Sequence, residues 1–599
     1  MDAQEFARAG TLEELKAKKR LVVHGGHRPI LVVYDRGRIF ALDNRCPHMG
    51  FPLERGSVED GILTCHWHHA RFDLESGCTF DLWADDAPSA PVEVRNGIIW
   101  VKTTFGHPGA HWRKRLSDGL AHDLGLVIAK SVFGQLAAGA PPADIVRQAA
   151  LFGAQERDGW GVGLTILTAL ANLLPALSED DAYLALFNGA RRVAEDCEGA
   201  APRRDRAPLA SRPEPAALKR WLRRWTRVRH REAAERTLLT AIAAGLSPAA
   251  LADALLAAET ERAFADSGHS LDFINKAFEC LDLIGWEHAA AVLPAVVGQM
   301  VASRGAEEQT AWRQPVDLIA LSGEAAGRLP KLFDAERVGW RGHAALAGEL
   351  LGDDPAKIVE ALEAAIGAGA APSDLGRSLA YAAALRVARF GAANEHADWE
   401  TAHHVFTYAN ALHRMLERIA SPRVEPGGRN DEARPDPDGQ ATAVRGILHG
   451  AMALYLSRYL NVPPARIPGD DGGRLDDLPN DAEGIRAALL DAFDRQRQVD
   501  LAARLAARHL MLGHSPQALI AALAHAVLRE DAGFHAYQLL EAGARQFAGW
   551  GDSAEGRRIL VAVARYLAAH SPTERAALQT ADIARRLMRG GELHQAEPS

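Results

Sequence analysis

The sequence predicts a multidomain chain: a small antiparallel all-β domain at the N-terminus, then a large all-α region built of repeated helical hairpins. Three observations predict it. Up to about residue 104 the chain alternates short runs of β-branched and aromatic residues with turn signals. Beyond that point Ala, Leu, Arg and Glu recur with helical periodicity, and one joint, Gly-x-x-Pro, returns four times. At 599 residues, 48% hydrophobic and 24% charged, the chain is long enough for several domains. Its net charge of −9 argues against a nucleic-acid partner. The longest apolar run, around 289–297, is too short to span a membrane and is broken by Pro294.

The β-rich runs are 21–23, 30–34, 38–43, 62–65, 71–74, 92–94 and 98–101, separated by turn signals at Gly25-Gly26, Asp35-Arg36-Gly37, Glu75-Ser76-Gly77 and Asn96-Gly97. Within them lie Cys46-Pro47-His48 and, after a gap of 16 residues, Cys65-His66-Trp67-His68. A two-iron cluster whose irons are held by two thiolates and by two imidazoles needs two loops that each give one Cys and one His. Cys46, His48, Cys65 and His68 supply that set. His66 and His69 lack the spacing and read as loop surface.

The two half-motifs, with the continuation Ala70-Arg71-Phe72-Asp73-Leu74-Glu75-Ser76-Gly77, resemble the Rieske proteins, and in particular Rieske ferredoxins and oxygenase ferredoxin domains. The resemblance covers roughly the first hundred residues. It implies a [2Fe-2S] cluster on Cys46, His48, Cys65 and His68, and a proline-bearing cover loop at Ala87-Pro88-Ser89-Ala90-Pro91. His69 stands where the family usually has Gly. The high-potential branch adds a Cys to each loop and a Ser that bonds a cluster sulfide. Here the loops hold Met49-Gly50 and His66-Trp67, with Ala70 near the Ser position. Few donors to the sulfurs imply a low potential, on the order of −150 mV rather than +300 mV. Cys78, Cys197 and Cys280 lack metal spacing and read as free buried thiols.

The expected domains are 1–104, a linker at 105–120 opening with Phe105-Gly106-His107-Pro108-Gly109, an all-α region at 121–420, a loop at 421–440 and a second all-α region at 441–599. Further breaks are expected at 199–215 and 462–481. The joints are Gly139-Ala140-Pro141-Pro142, Gly245-Leu246-Ser247-Pro248, Gly369-Ala370-Ala371-Pro372 and Gly513-His514-Ser515-Pro516. Gly ends one helix and Pro enters the first turn of the next.

After the last three joints an acidic residue precedes a histidine: Asp266 with His269, Glu400 with His403, and Asp531 with His535. His269, Glu400, His403, His404 and His535 are therefore candidates for a second, non-haem metal site, because imidazole and carboxylate with open positions is how non-haem iron binds oxygen. The competing reading makes them caps and packing residues. Glu400 and His403 form a Glu-x-x-His pair that Thr407, Asn410 and His413 continue, and His269, Asp272, Lys276 and Glu279 form a similar stripe. Such stripes are usually a helix's solvated face. The basic stretch Lys219-Arg220-Trp221-Leu222-Arg223-Arg224-Trp225 offers a docking helix, against the reading of a core helix with a solvated basic face.

Gly159-Trp160-Gly161-Val162-Gly163 lacks dinucleotide spacing, and neither a phosphate-binding Gly-x-x-x-x-Gly-Lys loop nor a Gly-x-Ser-x-Gly elbow occurs. Electrons must then come from an external reductase or ferredoxin. Met1-Asp2-Ala3-Gln4-Glu5 is acidic and polar, so no leader is expected, and five cysteines then suit the reducing cytoplasm. Two functional readings stand. The first is an oxidoreductase, oxygenase-like, passing single electrons through the cluster to a helical domain that binds a small-molecule substrate or a metal. The second is a non-catalytic electron-transfer protein whose helices dock a partner enzyme. The discriminator is whether His269, His403, His404 and His535 converge.

Overall fold

The computed structural model describes residues 6–25, 28–333, 339–420, 437–470 and 474–591. Residues 1–5, the Gly26 half of the first turn signal, most of the 421–440 break and residues 471–473 of the 462–481 break lie outside the described residues. The chain divides into two units. The first comprises Met1–Ala149, Leu186–Glu198 and Arg575–Ser599, and the second Ala150–Ala185 and Gly199–Glu574.

The first unit opens with β1 (Phe6–Thr11), α1 (Leu12–Lys18), β2 (Arg20–Gly25), β3 (Arg28–Asp35), β4 (Arg38–Asp43), β5 (Ser57–Glu59), β6 (Ile62–Thr64), β7 (Arg71–Asp73), β8 (Val92–Arg95) and β9 (Ile98–Lys102). They form three antiparallel three-stranded sheets in the orders β1-β9-β8, β2-β3-β4 and β5-β6-β7. Three of the hairpins close over two residues, Arg36-Gly37, Asp60-Gly61 and Asn96-Gly97, all at positive φ. That is the mirror-image turn whose twist matches paired strands. Leu31, Val33, Leu42, Leu53, Leu63, Phe72 and Leu74 form one core, into which Cys46 and Cys65 are also buried. β1, α1 and β5 were not expected from the sequence, because their short runs lack clean alternation.

Residues 105–120 are not a linker throughout. Gly109–Ala121 is a helix, α2, because Trp112, Leu116 and Leu120 recur every four residues and bury one face. It packs on α3 (Gly125–Ala137), as does the Ala576–Met588 helix.

The second unit is helical among its described residues. Its principal helices are α4 (Val162–Leu173), α5 (Pro248–Glu259), α6 (His269–Ile284), α7 (Pro372–Ala388), α8 (His396–Ala420), α9 (Pro516–Leu528), α10 (Phe534–Trp550) and α11 (Ala554–Ala569). At every Gly-x-x-Pro joint the glycine has positive φ and the proline opens a helix. Helices on either side of a joint then pack chiefly on others: α7 on α8 and α11, and Val499–Met511 on α11.

Helix Pro215–Arg227 buries Leu218 and Leu222, while Lys219 pairs with Asp253 and Asp438, and Arg223 with Glu261 and Asp438. That part of the basic face is neutralised by the chain's own carboxylates. Of the three remaining cysteines only Cys280 is fully buried; Cys78 is exposed on its turn and Cys197 half-buried. Among the described residues no single helix is long and apolar enough to cross a membrane.

Candidate metal centres

In the first unit, the chain leaves β4 through Cys46-Pro47-His48 and leaves β6 through Cys65-His66-Trp67-His68. The two loops fold alike. Cys46 N–H donates to Phe51 O (2.8 Å) and Gly50 N–H to Cys46 O (2.7 Å), while Cys65 N–H donates to Ala70 O (2.8 Å) and His69 N–H to Cys65 O (3.0 Å). The matching bonds point both cysteines inward. Gly50 and His69 close the loops at positive φ, +80° and +63°. Left-handed backbone explains why glycine suits the position of His69, and a histidine there carries strain.

The four expected donors meet. A hydrogen bond between the free Cys46 and Cys65 thiols pulls Cys65 down to about 6 and, with burial, pushes Cys46 up. His48 and His68 stand edge to face with ring centroids 4.8 Å apart. His48 is pushed down to about 4 by burial, with His68 and Lys130 adding to it, and its buried Nδ1 has no hydrogen-bond partner. Two buried sulfurs on one side and two imidazoles on the other, one with an orphaned nitrogen, fit a two-iron cluster. The cysteines are buried, His48 is half-buried and His68 exposed, with Trp83 edge-on to His48 and Trp67 beside His68.

Behind the loops, Arg115 of α2 donates to Leu82 O (3.0 Å), Ala84 O (2.9 Å) and Asp85 (3.0 Å). Burial would raise the Asp85 carboxyl, but its bond to His111 and the charges of Lys130 and Arg115 hold it far below the usual carboxylate range. Lys130 of α3 donates from Nζ to Pro47 O. A cavity of about 330 Å³, lined among others by Cys46, Pro47, Asp85, His107, Trp112 and Lys130, adjoins these groups.

In the second unit, His269 of α6, His404 of α8 and His535 of α10 bring one nitrogen each within 4.8 Å of the others. His404 Nε2 lies 3.2 Å from His535 Nε2, and His535 Nδ1 lies 3.2 Å from Glu400 Oε1. Burial, then neighbouring imidazoles, push His404 and His535 down to about 3. Neutral imidazoles with mutually close nitrogens are the ligand form for a metal. His403 is fully buried with both ring nitrogens unpartnered, its ring centroid 4.6 Å from that of His535.

Sequence reasoning thus named all three histidines of the triad but centred the site on His403, which sits behind it. Glu400 pairs across helices with His535, and within α8 with His396. Phe264, Asp266, Ser267 and Gly268, just before His269, all have positive φ, a strained run of the kind that gathers at functional sites. Tyr566, His570 and His396, which line a cavity of about 90 Å³ beside Glu400 and His535, were missed, since no local pattern marks them.

The polar stripes are not solvated. Asp272, Lys276 and Glu279 are each 1% exposed, and Asn410 and Thr407 are buried too. Lys276 pairs with Glu279 (2.8 Å) and Glu541, Asn172 bridges Glu279 (2.9 Å) and Glu541 (3.0 Å), and Gln538 donates to Asp272. Burial raises Asp272 to about 7.

The Rieske [2Fe-2S] domain family matches residues 5–88. Oxidoreductase NdmD of Pseudomonas putida is 32% identical over 120 residues, covering 18% of this chain and 20% of that protein. Apoptosis-inducing factor 3 of Homo sapiens is 35% identical over 94 residues, 16% of each. The ferredoxin component of the alkene monooxygenase system of Xanthobacter autotrophicus is 29% identical over 103 residues, 17% of this chain and 84% of that protein. The chain therefore spans a fifth or less of the first two relatives. Among solved structures, the ferredoxin of carbazole 1,9a-dioxygenase from Nocardioides aromaticivorans IC177 matches 17% of this chain and 99% of its own, at 24% identity and a TM-score of 0.16. Residues 5–88 are a Rieske [2Fe-2S] domain, carried at the N-terminus of a chain whose long helical remainder that family does not assign.

Proposed function

We propose that the N-terminal module, residues 1–104, carries single electrons from an external reductase or ferredoxin to redox chemistry hosted by the helical unit. Cys46 and Cys65 would hold one iron of the cluster and His48 and His68 the other, the exposed His68 edge serving exchange with the donor. In the helical unit, His269, His404 and His535 would hold a non-haem metal, with Glu400 orienting His535 and His403 in reserve beside it. Such a metal supplies a centre able to accept an electron and bind oxygen. That NdmD is an oxidoreductase, and that another relative is the ferredoxin component of a monooxygenase system, is consistent with this reading.

The observation that carries it is the meeting of three imidazoles from three helices, with two nitrogens 3.2 Å apart and Glu400 behind one of them. An enzyme is favoured over a docking protein because a docking surface needs no buried, unpaired imidazoles. The test is metal and acid-labile sulfide analysis of anaerobically purified full-length protein beside its His404→Ala and Cys46→Ser variants. Wild type should carry metal beyond two irons, and His404→Ala should lose only that excess, while Cys46→Ser loses the sulfide. Two irons in both wild type and His404→Ala would leave the docking reading.

A further inference from the structure

Lys130 lies outside the segment that matches the Rieske family, yet α3 delivers its amine to the first cluster loop. Its Nζ donates to the carbonyl of Pro47, the residue between Cys46 and His48. The side chain is buried, with 4% of the residue exposed. A peptide carbonyl is satisfied by any neutral donor, whereas a buried ammonium carries a large desolvation cost that selection keeps only with some return.

The charged groups around it are paired mostly with one another, and Asp85 faces it. Arg45 is paired with Asp43 in the same loop, and Asp85, the carboxylate facing Lys130, is bonded to Arg115 and His111. Arg115 of α2 is shared between Asp85 and Asp118, and Asp86, paired with His111, lines the same cavity as His107. Among these charged groups it is Lys130 that reaches the backbone of the first cluster loop, through Pro47 O.

We infer that Lys130 sets the reduction potential of the [2Fe-2S] centre, holding it above the value the two loops alone would give. Reduction adds one electron to the cluster and forms or breaks no bond, so the reduced form is the more negative one. A buried ammonium, hydrogen-bonded to the carbonyl of the residue between a thiolate and an imidazole ligand, favours that form. The low potential expected from the absence of donors to the sulfurs is thus countered from outside the module. Lys130 is a positioning residue that acts through its field, and the inference rests on the cluster reading above.

The experiment is potentiometric titration of full-length holoprotein at pH 7, followed by electron paramagnetic resonance, for wild type and for Lys130→Met, Lys130→Gln and Lys130→Arg. The neutral variants should need a more negative potential. At the wild-type midpoint their oxidised-to-reduced ratio should rise about tenfold, equivalent to 59 mV for one electron. Lys130→Arg should stay close to wild type, and the g-values and visible circular dichroism should not change in any variant. An unchanged midpoint in Lys130→Met and Lys130→Gln overturns the inference. So does a Lys130→Arg midpoint that falls as far as theirs, which would make the effect one of loop packing. Failure of both neutral variants to load the cluster, with Lys130→Arg loading it, would assign Lys130 to assembly and overturn the inference as well. Absence of a Rieske signal in the wild type would instead remove the cluster reading itself.

Discussion

His404 and His535 face each other through their Nε2 atoms at 3.2 Å, and both are held to about 3, far below the ordinary histidine value of 6.5. In the unfolded chain both take up protons below about 6.5, but in the fold they do so only near 3. The unfolded state then binds more protons between those values, so stability falls as pH drops through that window. Thermal melts of chelator-treated protein should show Tm falling steadily from pH 7 to 4, and His404→Ala should flatten the slope. Identical slopes in wild type and variant would count against the imidazole pair.

His69 adopts φ +63° as it closes the second cluster loop. His69→Gly should stabilise the module by about 0.5 kcal/mol, the relief of left-handed strain less the added chain entropy, and His69→Val should cost about 2 kcal/mol. Denaturant titration followed through cluster absorbance gives both. A His69→Val variant as stable as wild type would show that the loop adopts another conformation.

Gly77 combines φ +75° with crowding: a Cβ there would lie 1.8 Å from the carbonyl oxygen of Ala87 and 3.1 Å from Leu42 Cδ2. Gly77→Ala should cost on the order of 3 kcal/mol and shift the 87–91 loop. Urea unfolding and the rate of cluster loss in air should both register it.

Lys276 is the only cation bonded to Glu279 among the described residues, and it also pairs with Glu541. Lys276→Met should cost about 3–5 kcal/mol at pH 7, because it strands buried carboxylates. Burial would raise Glu279, but Lys276 and Arg545 hold it to about 2, against an ordinary 4.5. The stabilisation is therefore complete above about 4.5 and is lost as pH falls towards 2, so the deficit of the variant should narrow on acidification. Asp272→Asn, which removes a carboxyl already raised to about 7, should cost far less. Equal losses in the two variants would contradict this ordering.

The β module was legible because its chemistry is local: ligand spacing, alternating runs and two-residue turns all lie within a few positions of one another. The joints were legible for the same reason, down to the sign of φ at Gly245 and the place of Pro248. Which helices pair was not, because that depends on surfaces far apart in sequence. Hence His404 and His403 could not be ranked from the sequence, and a stripe such as Asp272-Lys276-Glu279 looked solvated when Glu541 and Asn172, more than a hundred residues away, enclose it. Lys130 was invisible for the same reason, since nothing near it in the chain names Pro47.

The Arg115 clamp sets where the β module can be cut. A guanidinium from outside the β module holds the Leu82 and Ala84 carbonyls and the buried Asp85. A chain ended at Thr104 would keep the buried Asp85 without Arg115, His111 or Lys130. A module ended there would need α2 and α3 to supply those groups again before its buried Asp85 had a bonded cation.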